Sequence, residues 1–317
     1  MLLTGASGFI GNRLQKVLIR RGCHLRVLTR KPEKITASVD CFVGDLTDAS
    51  ACRKAMEKVN VVIHVAGEKR DISRFWPVNV RGTNNLIEAA SDEGVGRFVH
   101  LSSVGVIGAD PLKSKVFGED ASCMPRDEYE RSKWEAEKLV QQAAKKGLPV
   151  AILRPSNVFG DCDPERGLLK LIQSVKKGWF VYLGGRDVLC NYVFVDDVAH
   201  ACLSLAEHPA AVGHTYHLSD ECTLGEFVDA VADDLRVKRP IIHLPSSLGI
   251  LMRKTLRMMR ALSGFSTSSM GIRLISLNNQ ARFATTRLAD ELGLQYPVGW
   301  RAGLGRVVDW YRSQSMV

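Results

Sequence analysis

The strongest constraint on this chain lies in its first twenty residues. A short apolar stretch, Met1–Thr4, runs into "TGASGFIGNRL" at 4–14 and then into the helical pattern of Phe9, Ile10, Leu14, Val17 and Leu18. Glycine is costly inside a helix, yet Gly8 and Gly11 stand where that pattern begins, with Gly5 in the turn before it. A GxxGxxG spacing between a strand and a helix suits a backbone that something must approach closely, and a helix N-terminus is a natural seat for phosphate. Gly5 would permit the tight turn, Gly8 the approach of a pyrophosphate, and Gly11 the packing of helix against sheet. Ser7, Phe9 and Ile10 belong to the same loop.

The next 150 residues repeat this alternation. Strand-like runs at Leu25–Thr29, Asp40–Val43, Val59–His64, Arg97–Leu101 and Val150–Leu153 are separated by amphipathic stretches at Gly11–Arg21, Asp48–Lys58, Val80–Glu93 and Tyr129–Lys146. Apolar, β-branched strands alternating with helices predict an α/β fold, a doubly wound parallel sheet covered on both faces. After Pro155 the rhythm breaks. A helix is expected at Leu168–Lys177, a strand and helix in "NYVFVDDVAHACLSLAEH", and short strands near Thr215–His217 and Ile241–Leu244. The organisation expected is a dinucleotide-binding domain over 1–155, with 190–205 returning to it. A smaller, mainly helical substrate domain takes 156–189 and 206–317.

Composition excludes some classes and leaves others. A net charge of +9 keeps anionic ligands in view, but there is no compact basic block, zinc spacing or aromatic–basic stretch, so nucleic acid is not an expected partner. Eight cysteines without a CxxC pair, several in apolar runs, read as buried free thiols of a reducing compartment. No leader precedes the glycine loop and no apolar run reaches membrane-spanning length, so the cytoplasm is expected. Leu248–Leu277 mixes Leu, Ile and Met with Arg253, Lys254, Arg257 and Arg260. A basic amphipathic helix can lie on a membrane surface, although packing of its apolar stripe into the small domain is the preferred reading. No metal site is expected: His64 and His100 each end a strand without ligand spacing, and read as satisfied histidines. Asp196 and Asp197 read as caps of the helix that follows them.

Two further stretches carry chemistry. The second strand ends in "LTRK", where a dinucleotide domain selecting NAD places an acidic residue on the ribose 2′-hydroxyl. Arg30 and Lys31 suit a 2′-phosphate instead, so NADP is favoured, with NAD as the other choice. In "YERSK", Tyr129 and Lys133 share a helix face. A neighbouring cation, with the positive charge of a nicotinamide ring, would bring the tyrosine pKa down from about 10 and make it a usable acid–base group. Ser102 and Ser103 end the strand before it, where a hydroxyl can hold a substrate carbonyl oxygen.

The glycine loop, "GDL" at 44–46, "HVAG" at 64–67, Asn79, "LSSVGVIG", YxxxK, "RPSNVFG" at 154–160 and "VFVDDVA" at 193–199 occur in order. Together they resemble the extended short-chain dehydrogenases/reductases, the NAD-dependent epimerase/dehydratase family, nearly end to end. The resemblance implies a Rossmann-type first domain. It implies that Asp45 and Leu46 meet the adenine side of the cofactor, that Val65, Ala66 and Gly67 line its centre, and that Pro155 and Val158 border the nicotinamide. It makes Ser103, Tyr129 and Lys133 the catalytic set, while Asn79 steadies the core. The look is closest to nucleotide-sugar 4-ketoreductases and 4-epimerases, with a nucleotide-sugar as substrate and a homodimer as an allowed assembly. "GEKRDISRFWP" would then line the substrate mouth.

Two departures bear on the substrate. Val104 and Gly105 follow Ser103 where dehydratases of the family carry an acidic pair, which disfavours dehydration. Cys190 stands where many sugar-nucleotide enzymes place an arginine on the diphosphate; Arg186 or Arg253 would have to compensate. The rivals are a hydroxysteroid- or dihydroflavonol-type enzyme of the same fold, and a non-catalytic NADP-binding regulator.

Overall fold

The computed structural model describes residues 1–110, 115–183, 185–245 and 280–317. The basic stretch Leu248–Leu277, Arg253 included, lies outside these residues. The first half alternates as its pattern predicts: β1 (Leu2–Thr4), α1 (Phe9–Arg20), β2 (Arg26–Thr29), β3 (Asp40–Val43), α2 (Ala49–Met56), β4 (Val61–His64), α3 (Gly82–Glu93), β5 (Arg97–Leu101), β6 (Lys115–Phe117) and α4 (Glu128–Lys145). Then come β7 (Val150–Pro155), β8 (Asn157–Phe159), α5 (Gly167–Lys176), β9 (Tyr182–Leu183), β10 (Leu189–Phe194) and α6 (Val195–Glu207). The last described elements are β11 (Thr215–Leu218), β12 (Asp220–Thr223), α7 (Leu224–Leu235), β13 (His243–Leu244), β14 (Ala281–Phe283), α8 (Thr286–Leu292) and α9 (Gly299–Ser313).

Seven strands form one parallel sheet in the order β11-β7-β5-β4-β1-β2-β3. Leu14 and Leu18 of α1 and Val198, Cys202 and Leu205 of α6 cover one face; Met56, Leu86, Ala90 and Val140 of α2, α3 and α4 cover the other. The strand order reverses between β1 and β4, and a doubly wound sheet opens its ligand crevice at such a point, beyond the carboxyl ends of the strands. A separate core of Phe159, Ile172, Tyr182, Phe194, Phe227, Leu304 and Tyr311 fills the small domain.

Three placements differ from expectation. Thr215–Leu218, predicted to lie in the small domain, is an edge strand of the main sheet, with Thr215 opposite Ile152 and Leu218 opposite Pro155. The returning segment therefore runs past 205: α6 buries its apolar side on the sheet and hands the chain back to the sheet edge, as a parallel crossover does. The third helix starts early, because a π-helical stretch over Phe75–Arg81 runs directly into α3. The second half of the expected mouth segment is thus helical, a 3₁₀ turn at Ile72–Arg74 leading into the π-helical stretch, while 67–71 stay a loop.

Asp196 and Asp197 do not cap α6, whose N-cap is Phe194. Asp197 is buried and accepts from the Val298 and Gly299 amides at 2.9 and 3.0 Å, tying down the start of α9. Asp196 pairs with Arg13 at 2.8 Å and Arg306 at 3.3 Å. Because Arg13 also binds Asp161, the first helix of the sheet is bolted to the small domain.

Candidate active site

The glycine loop closes on itself and on the end of β4. Gly5 has φ +77°, and a Cβ there would lie 2.7 Å from the Ala66 Cα, so backbone meets backbone between the loop and "HVAG". A Cβ on Gly11 would run into Gly5 and Ala6, which shows that Gly11 lets the helix pack on its own loop rather than on the sheet. Gly8 is the N-cap of α1 with no side chain capping it, and the first turn carries no acidic residue. Loop, bare helix start and exposed Gly8 form a cradle whose chemistry fits the pyrophosphate of a dinucleotide. Ser7, Phe9 and Ile10 are half-buried along it, and Phe9 and Ile10 reach the core of the small domain.

At the edge of this crevice Asp45 gathers more partners than its motif foretold. It accepts from the Thr47 amide and hydroxyl at 2.9 and 3.0 Å, and faces Arg30 at 3.4 Å and Arg74 at 3.3 Å. Burial raises its pKa, but these bonds and cations outweigh it and hold the carboxyl below its usual value. Arg74 was not legible in the sequence, since nothing in its local pattern sets it apart. Lys31 is exposed beside Arg30, and its amide donates to the Thr29 hydroxyl at 3.0 Å. Leu46 is buried, and its carbonyl accepts from Asn85 at 2.8 Å. Pro155 ends β7 and Val158 lies in β8, where it packs against both the sheet core and the small-domain core.

Helix α4 starts at an Asp127 cap, whose carboxylate accepts from the Glu130 amide, and brings Tyr129 and Lys133 to the carboxyl end of β5. Lys133 is buried, and its ammonium donates to the Leu101 carbonyl at 2.6 Å. Burial lowers the Lys133 pKa to about 8, against the opposing charge of Glu137. Tyr129 is half-buried, edge-on to Phe75 with ring centroids 5.8 Å apart. In the protein without cofactor, burial, then the carboxylates of Asp127, Glu165 and Glu130, push its pKa up to about 12. The protein alone thus keeps the phenol protonated.

The two serines separate cleanly. Ser102 is buried and donates to Glu137 at 2.5 Å, so its hydroxyl is already spent. Ser103 is half-buried and caps the 3₁₀ turn Val104–Ile107, its Oγ accepting from the Gly105 amide at 3.1 Å. The hydroxyl proton of Ser103 stays available to a carbonyl oxygen. Behind them lies a network that the motifs did not announce. Glu137 accepts from the Arg154 Nε at 3.1 Å on both oxygens, and Arg154 also reaches the Glu119 carbonyl at 3.0 Å. A buried carboxylate needs such pairing to remain charged.

A second buried chain joins the glycine strand to the catalytic helix. The Thr83 hydroxyl donates to the Asn79 carbonyl at 2.6 Å, so it can only accept from His64 Nε2 at 2.9 Å. His64 therefore carries its proton on Nε2, and its Nδ1 accepts from the Thr4 hydroxyl at 2.7 Å. Burial, with the nearby Lys133 charge, drives the His64 pKa to about 3 and keeps the ring neutral. Asn79 then clamps Glu68 through both its backbone groups and donates to Ser132 at 2.9 Å. His64 is satisfied as expected. His100 is not: neither ring nitrogen has a partner among the described residues, although its ring lies 5.3 Å from His64. Replacing His64 by Phe leaves the buried Thr4 hydroxyl without its acceptor and takes one donor from Thr83, and should cost about 2 kcal/mol in urea unfolding. The ¹⁵N shifts of the wild-type ring should report a neutral Nε2–H tautomer throughout the folded pH range.

Cys190 is buried on β10, opposite Cys222 of β12. Arg186 does not stand in for the missing cation, since it pairs with Asp229 at 2.5 Å and lies over the Tyr182 ring.

Residues 1–219 match the NAD dependent epimerase/dehydratase family. The chain is 30% identical to sterol demethylase protein B of Methylococcus capsulatus, over all of this chain and 99% of that protein. It is 26% identical to the N-acetyl-alpha-D-glucosaminyl-diphospho-ditrans,octacis-undecaprenol 4-epimerase of Escherichia coli O157:H7, over 98% of this chain and 94% of that one. Its fold matches that of UDP-glucose 4-epimerase from Thermotoga maritima, solved with UDP-glucose, at a TM-score of 0.77 and 20% identity over 99% of both chains. The chain belongs to the NAD-dependent epimerase/dehydratase family, as an oxidoreductase or epimerase of the extended short-chain type.

Proposed function

We propose that the protein oxidises or reduces a ring carbon bearing a secondary alcohol or ketone, most specifically C4 of a nucleotide-linked sugar. The observation that carries this is that Lys133, bonded to the Leu101 carbonyl, and Ser103, with a free hydroxyl proton, meet at the carboxyl end of β5, with Tyr129 one turn before Lys133 on the same helix. The bound nicotinamide would supply or accept the hydride. Ser103 would donate to the substrate oxygen, a bond that strengthens as that oxygen gains charge. Tyr129 would deliver the proton in reduction and remove it in oxidation. Burial keeps Tyr129 in its protonated form, the form that ketone reduction and the reducing half of an epimerisation both need. Arg30 and Lys31, which suit the cofactor usually supplied reduced, favour reduction over epimerisation. The small domain would cover the substrate over the crevice.

A second reading, a hydroxysteroid-type substrate, rests on Cys190 and the engagement of Arg186 by Asp229. Among the described residues, those two facts leave neither position as an unengaged cation for a diphosphate. The relatives include both classes, one named for a diphospho-undecaprenol-linked sugar and one for a sterol.

Purified protein offered UDP-, GDP- and dTDP-linked 4-keto sugars beside 3-keto steroids should consume NADPH with one sugar class; consumption with the steroids alone would establish the second reading. On whichever substrate turns over, Tyr129→Phe should lower kcat by about a hundredfold or more with little change in cofactor affinity. Wild-type kcat in that variant would remove Tyr129 from the chemistry.

Arg30 and Lys31 support NADP over NAD in this reading. Arg30→Asp should weaken NADP binding by about tenfold and leave NAD binding nearly unchanged, measured by calorimetry. Equal affinity of the wild-type protein for the two cofactors would contradict the preference.

A further inference from the structure

The small domain carries an apolar strip that its own core does not use. Trp179 is 73% exposed, Ile241 80%, Ile242 54% and Leu244 36%. Strands β9 and β13 bring them together: they run parallel, Tyr182 opposite His243 and Leu183 opposite Leu244, and the Tyr182 amide donates to the Ile242 carbonyl at 2.9 Å. Trp179 stands three residues upstream of that bond, and Phe180 between them lies edge-on to the Tyr182 ring at 5.0 Å, which ties this end of the chain to the pair of strands. Single exposed apolar side chains are ordinary, but several side by side mark a surface with a use.

The ground under the strip is firm. Tyr182 is fully buried, stacked on His243 at 4.8 Å, edge-on to Phe180 at 5.0 Å and covered by the Arg186 guanidinium at 5.1 Å. Among the described residues the buried face beneath the strip is therefore filled.

Its rim is basic. Lys176, Lys177 and Lys238 are exposed, and the Lys177 ammonium sits 5.0 Å from the centre of the Trp179 ring. The carboxylates of α7 that could offset them are already answered: Asp229 by Arg186 and Arg239, Asp233 by Arg239, and Asp234 by Arg301. An exposed indole with a lysine over it suits the boundary between bilayer and water. There the ring sits at headgroup depth and the ammonium meets lipid phosphate. We propose that this strip is a membrane-docking surface, by which the small domain rests on an anionic bilayer. The charge of the rim favours lipid over a protein partner, because an anionic leaflet attracts each lysine without demanding a fixed counter-group. The inference does not depend on which substrate the site takes.

The test sediments the full chain with vesicles of phosphatidylcholine alone, or of equal phosphatidylcholine and phosphatidylglycerol, at low and high salt. Partition into the anionic vesicles is expected, weakened about tenfold or more by high salt. Trp179→Ser with Ile241→Ser should weaken it about tenfold or more. Lys176→Glu with Lys177→Glu should do the same for anionic vesicles only. Unchanged cofactor affinity in each double variant shows that it folds, and no turnover is needed, so a wrong substrate reading leaves the result intact. Absence of partition overturns the proposal, as does partition that both variants leave unchanged. A concentration-dependent dimer abolished by the Trp179 variant would also overturn it, by making the strip a protein interface.

Discussion

The site depends on a buried ammonium. Lys133 lies among the helices and strands of the main sheet, where an isolated charge would be expelled or neutralised. Two things keep it usable: the Leu101 carbonyl, which takes its hydrogen bond, and the charge of Glu137 one turn further along α4. Glu137 in turn survives burial because Arg154 and Ser102 hold it from β7 and the end of β5. The network therefore pins one helix to two strands, and Tyr129, one turn before Lys133, inherits its position from that pinning. Breaking the pair from either side would leave an uncompensated charge in the core, a cost of about 3–5 kcal/mol.

Much of this was legible in the sequence, for a physical reason. Glycine spacing, strand alternation and the i, i+4 pair of Tyr129 and Lys133 are local patterns, and local patterns survive in a linear text. What joins distant segments does not. Ser102 meets Glu137 across 35 residues and Arg74 meets Asp45 across 29, and neither pair has a spacing that announces it. The placement of β11 failed likewise: four residues of strand read the same in either domain, and only the return of α6 to the sheet decides. The surroundings of Tyr129 were hidden for a third reason. The sequence shows Lys133 beside it, but neither the desolvation of the phenol nor the approach of Glu165 from the small-domain side.

The two halves of the chain divide the work by rigidity and chemistry. The sheet supplies the cradle, with its close backbone contacts at Gly5 and Gly11, and the small domain is bolted onto it through Arg13, Asp161 and Asp196, as a cover for the substrate in the proposed reading. In that cover the expected diphosphate cation is absent at Cys190, while apolar and basic side chains face outward at Trp179, Ile241 and Lys177.

The proposed chemistry turns on Tyr129: burial and nearby carboxylates favour its protonated form, which ketone reduction needs, and the positive charge of an oxidised cofactor would ease its deprotonation in the reverse, oxidising direction. Ultraviolet titration of phenolate, taken as the difference between the wild-type protein and Tyr129→Phe, reads this one group directly. Without cofactor the difference should titrate near 12, and saturation with the oxidised cofactor should move it down by a unit or more. A phenol that already titrates near neutrality without cofactor, or one that does not move when cofactor binds, would contradict the account.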